Sequence, residues 1–492
     1  MRLHSTRDFK SKISALSAVL KGISSEGGLF IPESFPVISL AEIENLKGNN
    51  YEQLAAIILN MFFEEISLTD MQALTKSAYR SFSHKDIVPI KKLSKREFVL
   101  ELFHGPTLAF KDVALQILPR LMSKALEASK SDKDVLILTA TSGDTGKAAL
   151  EGFKNVDRVK IIVYYPNEGV SEMQRLQMVS QEGENTYVYA VNGNFDDTQN
   201  GVKAIFTDAK MQAEIADHGF KLSSANSINI GRLTPQIVYY FWGYICMLNS
   251  GDIALGDKIN IVVPTGNFGN ILAAYYAQKM GLPVNKFICA SNTNRVLTDF
   301  FKNGVYKLKD REFVKTISPS MDILISSNLE RMIADMIGDS DVVNSLFSDL
   351  REKGSYNINK YIDATKTEKF YANWSDEERT LKTIKDTFDK YDYLIDPHTA
   401  VAKCVSDDYF EATGDKTPCI IASTASPYKF TDSVLEALGH DVSHDTFKNA
   451  EKLSKVSGTP IPVKISELKA KVILHSETID SEAMFNSILS SI

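Results

Sequence analysis

The stretch INIVVPTGNFGNILAAY, residues 259–275, decides the fold. Ile259 to Val263 is a near-continuous apolar run, the pattern of a strand buried on both faces. Pro264 to Asn270 is a glycine-rich turn, and Ile271 to Tyr275 opens a helix directly after it. Such a junction points free backbone N–H groups and the positive end of a helix dipole at one spot. Glycine lets the backbone approach an anion closely. The dipole alone contributes about 0.3–2 kcal/mol, so amide hydrogen bonds must carry most of a phosphate's binding. A plain strand-to-helix connection has the same pattern, and one loop does not decide between the two.

Outward from this stretch the signal repeats. Val135–Leu138, Val159–Tyr165, Thr186–Val191, Lys286–Ala290 and Pro418–Ala422 read as buried strands separated by helical sequence. The expected class is α/β, with open, mainly parallel sheets covered by helices. Residues 1–95 are mixed: a Gly27-Gly28 turn, then helical spacing over Tyr51–Ile66, then a lysine-rich segment. They are expected to form an N-terminal domain. Residues 96–492 would be the catalytic region, with a mobile small subdomain at about 130–220 and a helical insertion at about 296–392.

Composition bounds the function. Of 492 residues, 44% are apolar and 24% charged, the balance of a globular chain with a large core. The net charge of −7 and the lack of a long basic block argue against nucleic acid as a partner. The run from Lys91 to Arg96 reads as a solvated linker. Cys246, Cys289, Cys404 and Cys419 have no CxxC spacing and read as buried free thiols of a reducing compartment. No apolar run approaches the roughly 18 residues of a membrane span, and Met1–Lys10 lacks a signal-peptide core. The expectation is a cytoplasmic protein without a membrane partner.

Three further segments carry chemistry. TATSGDTGK, residues 139–147, is a second strand–loop–helix junction. A nucleotide-binding P-loop would need glycine at Thr141 and a hydroxyl residue at Ala148; both fail, and the loop suits a small carboxylate instead. In HGPTLAFKD, residues 104–112, Lys111 stands at the start of helical spacing that runs through Val113, Leu115, Leu118, Leu121 and Met122. An isolated lysine there is ordinarily solvated. Partial burial would instead depress its pKa and favour the neutral amine that forms a Schiff base. Finally, the strand Cys419–Ala422 leads into Ser423-Thr424-Ala425-Ser426-Pro427 and a helix from Phe430, placing hydroxyls at a strand's C-terminal end.

Taken together, these segments resemble the fold type II pyridoxal-phosphate (PLP) enzymes, and within them the threonine synthases of bacterial and fungal type. The resemblance rests on HGPTLAFKD, SGDTG (142–146) and GNFGN (266–270). It extends through GVSEMQRLQM (169–178), NSIN (226–229) with Arg232, SPSMDI (318–323), SSNLER (326–331) and DPHTAVA (396–402).

The resemblance implies that Lys111 carries the cofactor. It implies that Gly266, Asn267, Phe268, Gly269 and Asn270 cradle the PLP phosphate and that Thr424 meets the pyridine nitrogen. Thr141, Ser142, Asp144 and Thr145 would hold the substrate's α-carboxylate end. Arg232, Lys429 and Asn294 are candidates for the substrate phosphate. The implied reaction turns O-phosphohomoserine and water into L-threonine and phosphate, by γ-elimination and β-addition of water. The alternative is a PLP phospho-lyase or dehydratase that releases 2-oxobutyrate. Two positions depart from the family pattern: Ser426 stands where many members have histidine, and Ala402 where many have glycine. The oligomeric state stays open between monomer and dimer.

Overall fold

The computed structural model describes every residue except Ser142, Glu168 and Gly169. From the N-terminus, strands β1 (Arg2–Ser5), β2 (Asp8–Ser14) and β3 (Phe30–Pro32) form a small antiparallel sheet. Three helices follow, the longest pair being Tyr51–Phe62 and Leu68–Tyr79. Next come β4 (Ile90–Lys92) and β5 (Glu97–Glu101), then β6 (Asp134–Ala140), β7 (Val159–Pro166), β8 (Thr186–Val191) and β9 (Phe220–Ser223). The central strands are β10 (Ile259–Pro264) and β11 (Val284–Ser291). After a short pair, β12 (Val305–Lys307) and β13 (Ser355–Asn357), the chain supplies β14 (Phe370–Trp374), β15 (Cys419–Ser423) and β16 (Thr478–Ile479).

Two larger sheets result. One has the order β14-β11-β10-β15-β5-β4 and is parallel except for β4 on β5. The other, β16-β8-β7-β6-β9, is parallel throughout. The continuous apolar runs are explained by two-sided burial. On β10, Ile261 and Val263 face a core shared with the helices Pro235–Asn249 and Gly269–Lys279. Val262 points the other way, into a cluster with Val401, Ala402 and Val405 of the helix Pro397–Thr413.

The structure redraws several sequence expectations. The helix expected from Lys111 to Met122 is two, Lys111–Leu115 and Leu118–Ser129, with Pro119 in the first turn of the second. A proline needs no N–H there, but its ring blocks continuation from the preceding turn. Residue 95 is not a structural break: β4 pairs with β5 across it, and Leu54 and Leu59 share one core with Ile261. Residues 296–392 are not wholly helical, since they contain β12, β13 and the edge strand β14. Phe370-Tyr371-Ala372 alternates like an edge strand, and its short length hides it among charged neighbours. Among the described residues no helix is long and apolar enough to cross a membrane, and all four cysteines are free thiols.

Candidate active site

Lys111 is buried at the start of its helix. The turn before it is fixed by its own residues. Asp112 accepts from the Thr107 N–H at 2.9 Å and the Thr107 hydroxyl at 2.6 Å, and the Phe110 N–H donates to the Thr424 carbonyl at 2.8 Å. Lys111 Nζ lies 3.3 Å from Ser320 Oγ and 3.6 Å from Asp144 Oδ2. Burial pushes its pKa down from 10.5 to about 8; Asp144 opposes that fall, while Arg232 and Lys429 add to it. Near pH 8 half of this amine is neutral, whereas an exposed lysine is almost wholly charged.

Asp144 opens the helix Asp144–Phe153 that follows β6. Its Oδ1 is 2.6 Å from Lys429 Nζ and accepts from Gln174 Nε2 at 3.0 Å. Burial would raise its pKa, but the Lys429 and Lys111 cations outweigh it and hold the carboxyl well below its usual range. Arg232 is also buried, and burial lowers its pKa to about 10. Its guanidinium donates to the Ala225 carbonyl at 2.9 Å and has no carboxylate partner among the described residues. Lys429 is paired with Asp144, and the Arg232 guanidinium is the buried cation here left without a carboxylate among the described residues. Asp112, raised by burial to about 6, is still mainly an anion at neutral pH. A buried guanidinium without a carboxylate calls for an anionic ligand.

The glycine turn supplies a second anion site. Phe268 adopts a left-handed φ of 64° just before the helix Gly269–Lys279. The backbone N–H groups of Asn267 to Asn270 have no acceptor among the described residues. Asn270 Oδ1 accepts from the Tyr239 hydroxyl at 2.8 Å and from Tyr240, while its buried Nδ2 has no partner. The buried Asn328 Nδ2 is likewise unpartnered. A β-carbon on Gly266 would stand 2.7 Å from the Ser320 carbonyl oxygen, so only glycine fits. Orphaned donors around a turn of glycine geometry fit a phosphate, and a buried neutral amine nearby fits an aldehyde. These residues suit a phosphorylated aldehyde cofactor.

Ser320 links these groups. It sits in the short turn Pro319–Met321, with its carbonyl against Gly266 and its hydroxyl between Lys111 and Asp144. Its N–H donates to His398 Nε2 at 3.1 Å, and His398 Nδ1 is 2.7 Å from Asp396 Oδ2. Asp396 in turn caps the helix Pro397–Thr413.

The expected residues are distributed as follows. Lys111, Asp144, Lys429 and Arg232 form one charged group. Thr424 is buried beside Phe110, with its hydroxyl free among the described residues. The Thr141 hydroxyl is consumed within its loop, accepting from the Gly143 and Gly146 N–H groups at 3.0 Å each. Ser142 lies outside the described residues. Thr145, by contrast, has an uncommitted hydroxyl among the described residues. Asn294 Nδ2 is spent on the Val314 carbonyl and Asp322. Ser426 is buried and caps Tyr428 at 3.3 Å, holding the turn that carries Lys429. Ala402 packs beside Val262 of β10 in a buried apolar cluster. Sequence reading assigned no role to Ser320, Asp396 or His398, although SPSMDI and DPHTAVA contain them; an Asp-Pro-His start to a helix was the available signal.

Comparison with known proteins adds the identity of this arrangement. Residues 2–79 match the family "Threonine synthase N terminus", 86–346 "Pyridoxal-phosphate dependent enzyme" and 399–472 "Threonine synthase, C-terminal". The chain is 35% identical over 509 residues to the threonine synthase of Saccharomyces cerevisiae, covering 97% of each. It is 41% identical over 446 residues to threonine synthase-like 1 of Homo sapiens, spanning 88% of this chain but 59% of that protein. Among solved structures, PLP-bound threonine synthase from Brucella melitensis superposes with a TM-score of 0.89 at 34% identity, covering 100% and 99% of the two chains. Yeast threonine synthase gives 0.89 at 33%, with 100% and 98% covered. The cofactor is pyridoxal phosphate, and the fold is that of the type II enzymes using it. The chain belongs to the threonine synthase family of PLP-dependent enzymes.

Proposed function

We propose that this protein converts O-phosphohomoserine and water into L-threonine and phosphate. The observation that carries the reading is the buried Lys111 amine, its pKa pushed down to about 8, set beside the buried Arg232 guanidinium, which has no carboxylate partner among the described residues. A substrate with one phosphate, bound beside a cofactor with another, supplies the anions that such a site requires.

Residue roles follow from the geometry. The N–H groups of Asn267 to Asn270, with Gly266 giving access, hold the cofactor phosphate. The Thr424 hydroxyl would take the pyridine nitrogen, and threonine offers no charge to hold a proton there. Thr145 and the free N–H groups at the start of the helix Asp144–Phe153 take the substrate carboxylate. Asp144 does not contact that carboxylate, being itself an anion; it orients Lys111 and Lys429. Thr141 shapes the loop. Arg232 takes the substrate phosphate.

When bound, pyridoxal phosphate supplies the electron sink that makes protons at the substrate's Cα and Cβ removable. Lys111 Nζ would take the proton from Cα and give it up before taking one from Cβ as phosphate departs from Cγ toward Arg232; the Cβ proton is then returned to Cγ, which becomes the methyl group. Water adds its hydroxyl at Cβ and yields its other proton to the departed phosphate, and Lys111 Nζ hands a proton back to Cα, so that substrate and water sum to threonine and phosphate. The buried Asp144–Lys429 pair closes the site across two sheets and limits entry of solvent during that addition.

A second reading, release of 2-oxobutyrate and ammonia, shares every step before water addition; Ser426, in place of the family's usual histidine, favours keeping it. The test is incubation with O-phosphohomoserine, assaying threonine, 2-oxobutyrate and phosphate together. Threonine equal to phosphate supports the synthase; 2-oxobutyrate equal to phosphate, with traces of threonine, replaces it by the lyase.

A further inference from the structure

We propose that Ser320 aims the Lys111 amine and that Asp396 and His398 hold Ser320 in place to do so. The inference rests on the reading of Lys111 as the proton-moving group.

A neutral amine has four tetrahedral positions: the bond to Cε, two N–H bonds and one lone pair. Lys111 Nζ donates to Ser320 Oγ at 3.3 Å and faces Asp144 Oδ2 at 3.6 Å, an electrostatic contact longer than a hydrogen bond. With one N–H on Ser320 and the other drawn toward the Asp144 carboxylate, the lone pair is left in the one remaining direction, away from both. A base is effective only if that orbital meets the carbon-bound proton, so two acceptors do more than one. With Asp144 alone the amine can still turn about the Cδ–Cε and Cε–Nζ bonds. Ser320 removes that freedom. Its hydroxyl proton has its own acceptor, Asp144 Oδ2 at 3.5 Å, which leaves an oxygen lone pair for the lysine.

The serine is placed through its backbone. Its N–H donates to His398 Nε2 at 3.1 Å, so this nitrogen carries a lone pair and the ring proton is on Nδ1. Nδ1 faces Asp396 Oδ2 at 2.7 Å, and Asp396 also accepts from the His398 N–H at 3.0 Å and from Thr399. His398 and Asp396 are buried, and the ring packs edge-on to Phe430 at 5.0 Å. Neither side chain touches Lys111. They are positioning residues acting through a peptide N–H.

The experiment measures Lys111 itself as well as turnover. Trace acetylation of the apoprotein with acetic anhydride, on either side of pH 8 and quantified by mass spectrometry, gives the pH midpoint of Lys111. That midpoint also reflects the facing charges Asp144, Arg232 and Lys429, which the variants leave in place. Ser320→Ala removes an acceptor from the ammonium form and is expected to lower the midpoint by about half to one unit. With O-phosphohomoserine, kcat is expected to fall about 10–100-fold with KM within about twofold. His398→Leu is expected to move both readouts the same way, and His398→Gln, whose Oε1 can accept from the Ser320 N–H, to restore most of both. An unchanged midpoint or kcat in Ser320→Ala overturns the aiming role. A wild-type midpoint in His398→Leu, or no rescue by His398→Gln, overturns the role of His398. If His398→Leu does not fold, Ser320→Ala, which loses one hydroxyl, still decides the aiming role, and His398→Asn, one methylene shorter than glutamine, replaces His398→Leu as the variant expected to lose both readouts. A wild-type enzyme inert toward O-phosphohomoserine would remove the proposed reaction, while the Lys111 midpoints would still test the placement.

Discussion

Lys429 Nζ and Asp144 Oδ1 meet at 2.6 Å with both side chains buried, one following β15 of the six-stranded sheet and the other following β6 of the five-stranded sheet. The pair bolts two sheets together across the active site. Such a pair adds little net stability when intact, yet losing one partner strands the other in a poor solvent. Lys429→Ala is therefore expected to cost about 3–5 kcal/mol, read as a lower urea midpoint, and Lys429→Met with Asp144→Leu to recover part of it. A midpoint equal to wild type in Lys429→Ala would show that the pair is solvated in solution.

Borohydride reduction of the PLP-loaded enzyme is expected to fix the cofactor on Lys111, located by mass spectrometry. Label on another lysine removes the assignment. Lys111→Ala is expected to retain PLP through the Gly266–Asn270 loop but lose turnover by more than about 1,000-fold, because the cofactor attachment and the base are lost together.

The same lysine gives a pH prediction with a definite sign. Its pKa is about 8 when folded against 10.5 unperturbed, so between these values the native chain binds fewer protons than the unfolded one. The burial penalty is fully present below pH 8 and fades as pH rises toward 10.5. Apoprotein Lys111→Met is thus expected to exceed wild type in stability by a margin of up to about 3 kcal/mol below pH 8, shrinking across that window. Urea melts at the two ends of the window measure it; a constant margin contradicts it.

Gly266→Val sets a side chain against the Ser320 carbonyl, where a β-carbon already stands at 2.7 Å. The turn must shift away from the phosphate, so the PLP dissociation constant is expected to rise at least about tenfold, the price of one charge-assisted hydrogen bond. Fluorescence titration of the apoprotein with PLP checks this. Equal affinity would place the cofactor phosphate elsewhere.

Arg232→Gln is expected to raise KM for O-phosphohomoserine and Ki for inorganic phosphate together, each about 10–100-fold, with PLP affinity kept. A change in PLP affinity without one in Ki would assign Arg232 to the cofactor instead.

The two sheets and the charged centre were legible for different reasons. β6, β7, β10 and β11 are apolar on both faces, so their runs stand out whatever their neighbours do. Lys111 was legible because HGPTLAFKD is a long, specific motif. The edge strand β14 and the tie of β4 to β5 were hidden, because short edge strands carry charged residues and pair with sequence far away. Ser320 was hidden for a sharper reason: its N–H, hydroxyl and carbonyl each meet a different partner, and a one-dimensional pattern records none of these meetings. The loop bonds of the Thr141 hydroxyl were hidden in the same way, because a loop hydroxyl that braces its own turn and one that greets a ligand look alike in sequence.

The five-stranded sheet has a consequence for biosynthesis. Its edge strand β8 is covered by β16, and Ser487 and Ser491 reach Tyr164 and Tyr189 from beyond it. These partners emerge from the ribosome long after β6 to β9 are made. Until then β8, with the sequence TYVYAV, presents an open row of amides on an aromatic, β-branched strand, a template for pairing with neighbouring nascent chains. The window of vulnerability lasts through the translation of β10, β11, β14 and β15, the later strands of the six-stranded sheet. Slow decoding between residues 224 and 477 would lengthen it, and chaperone binding to the nascent chain should concentrate on 186–191.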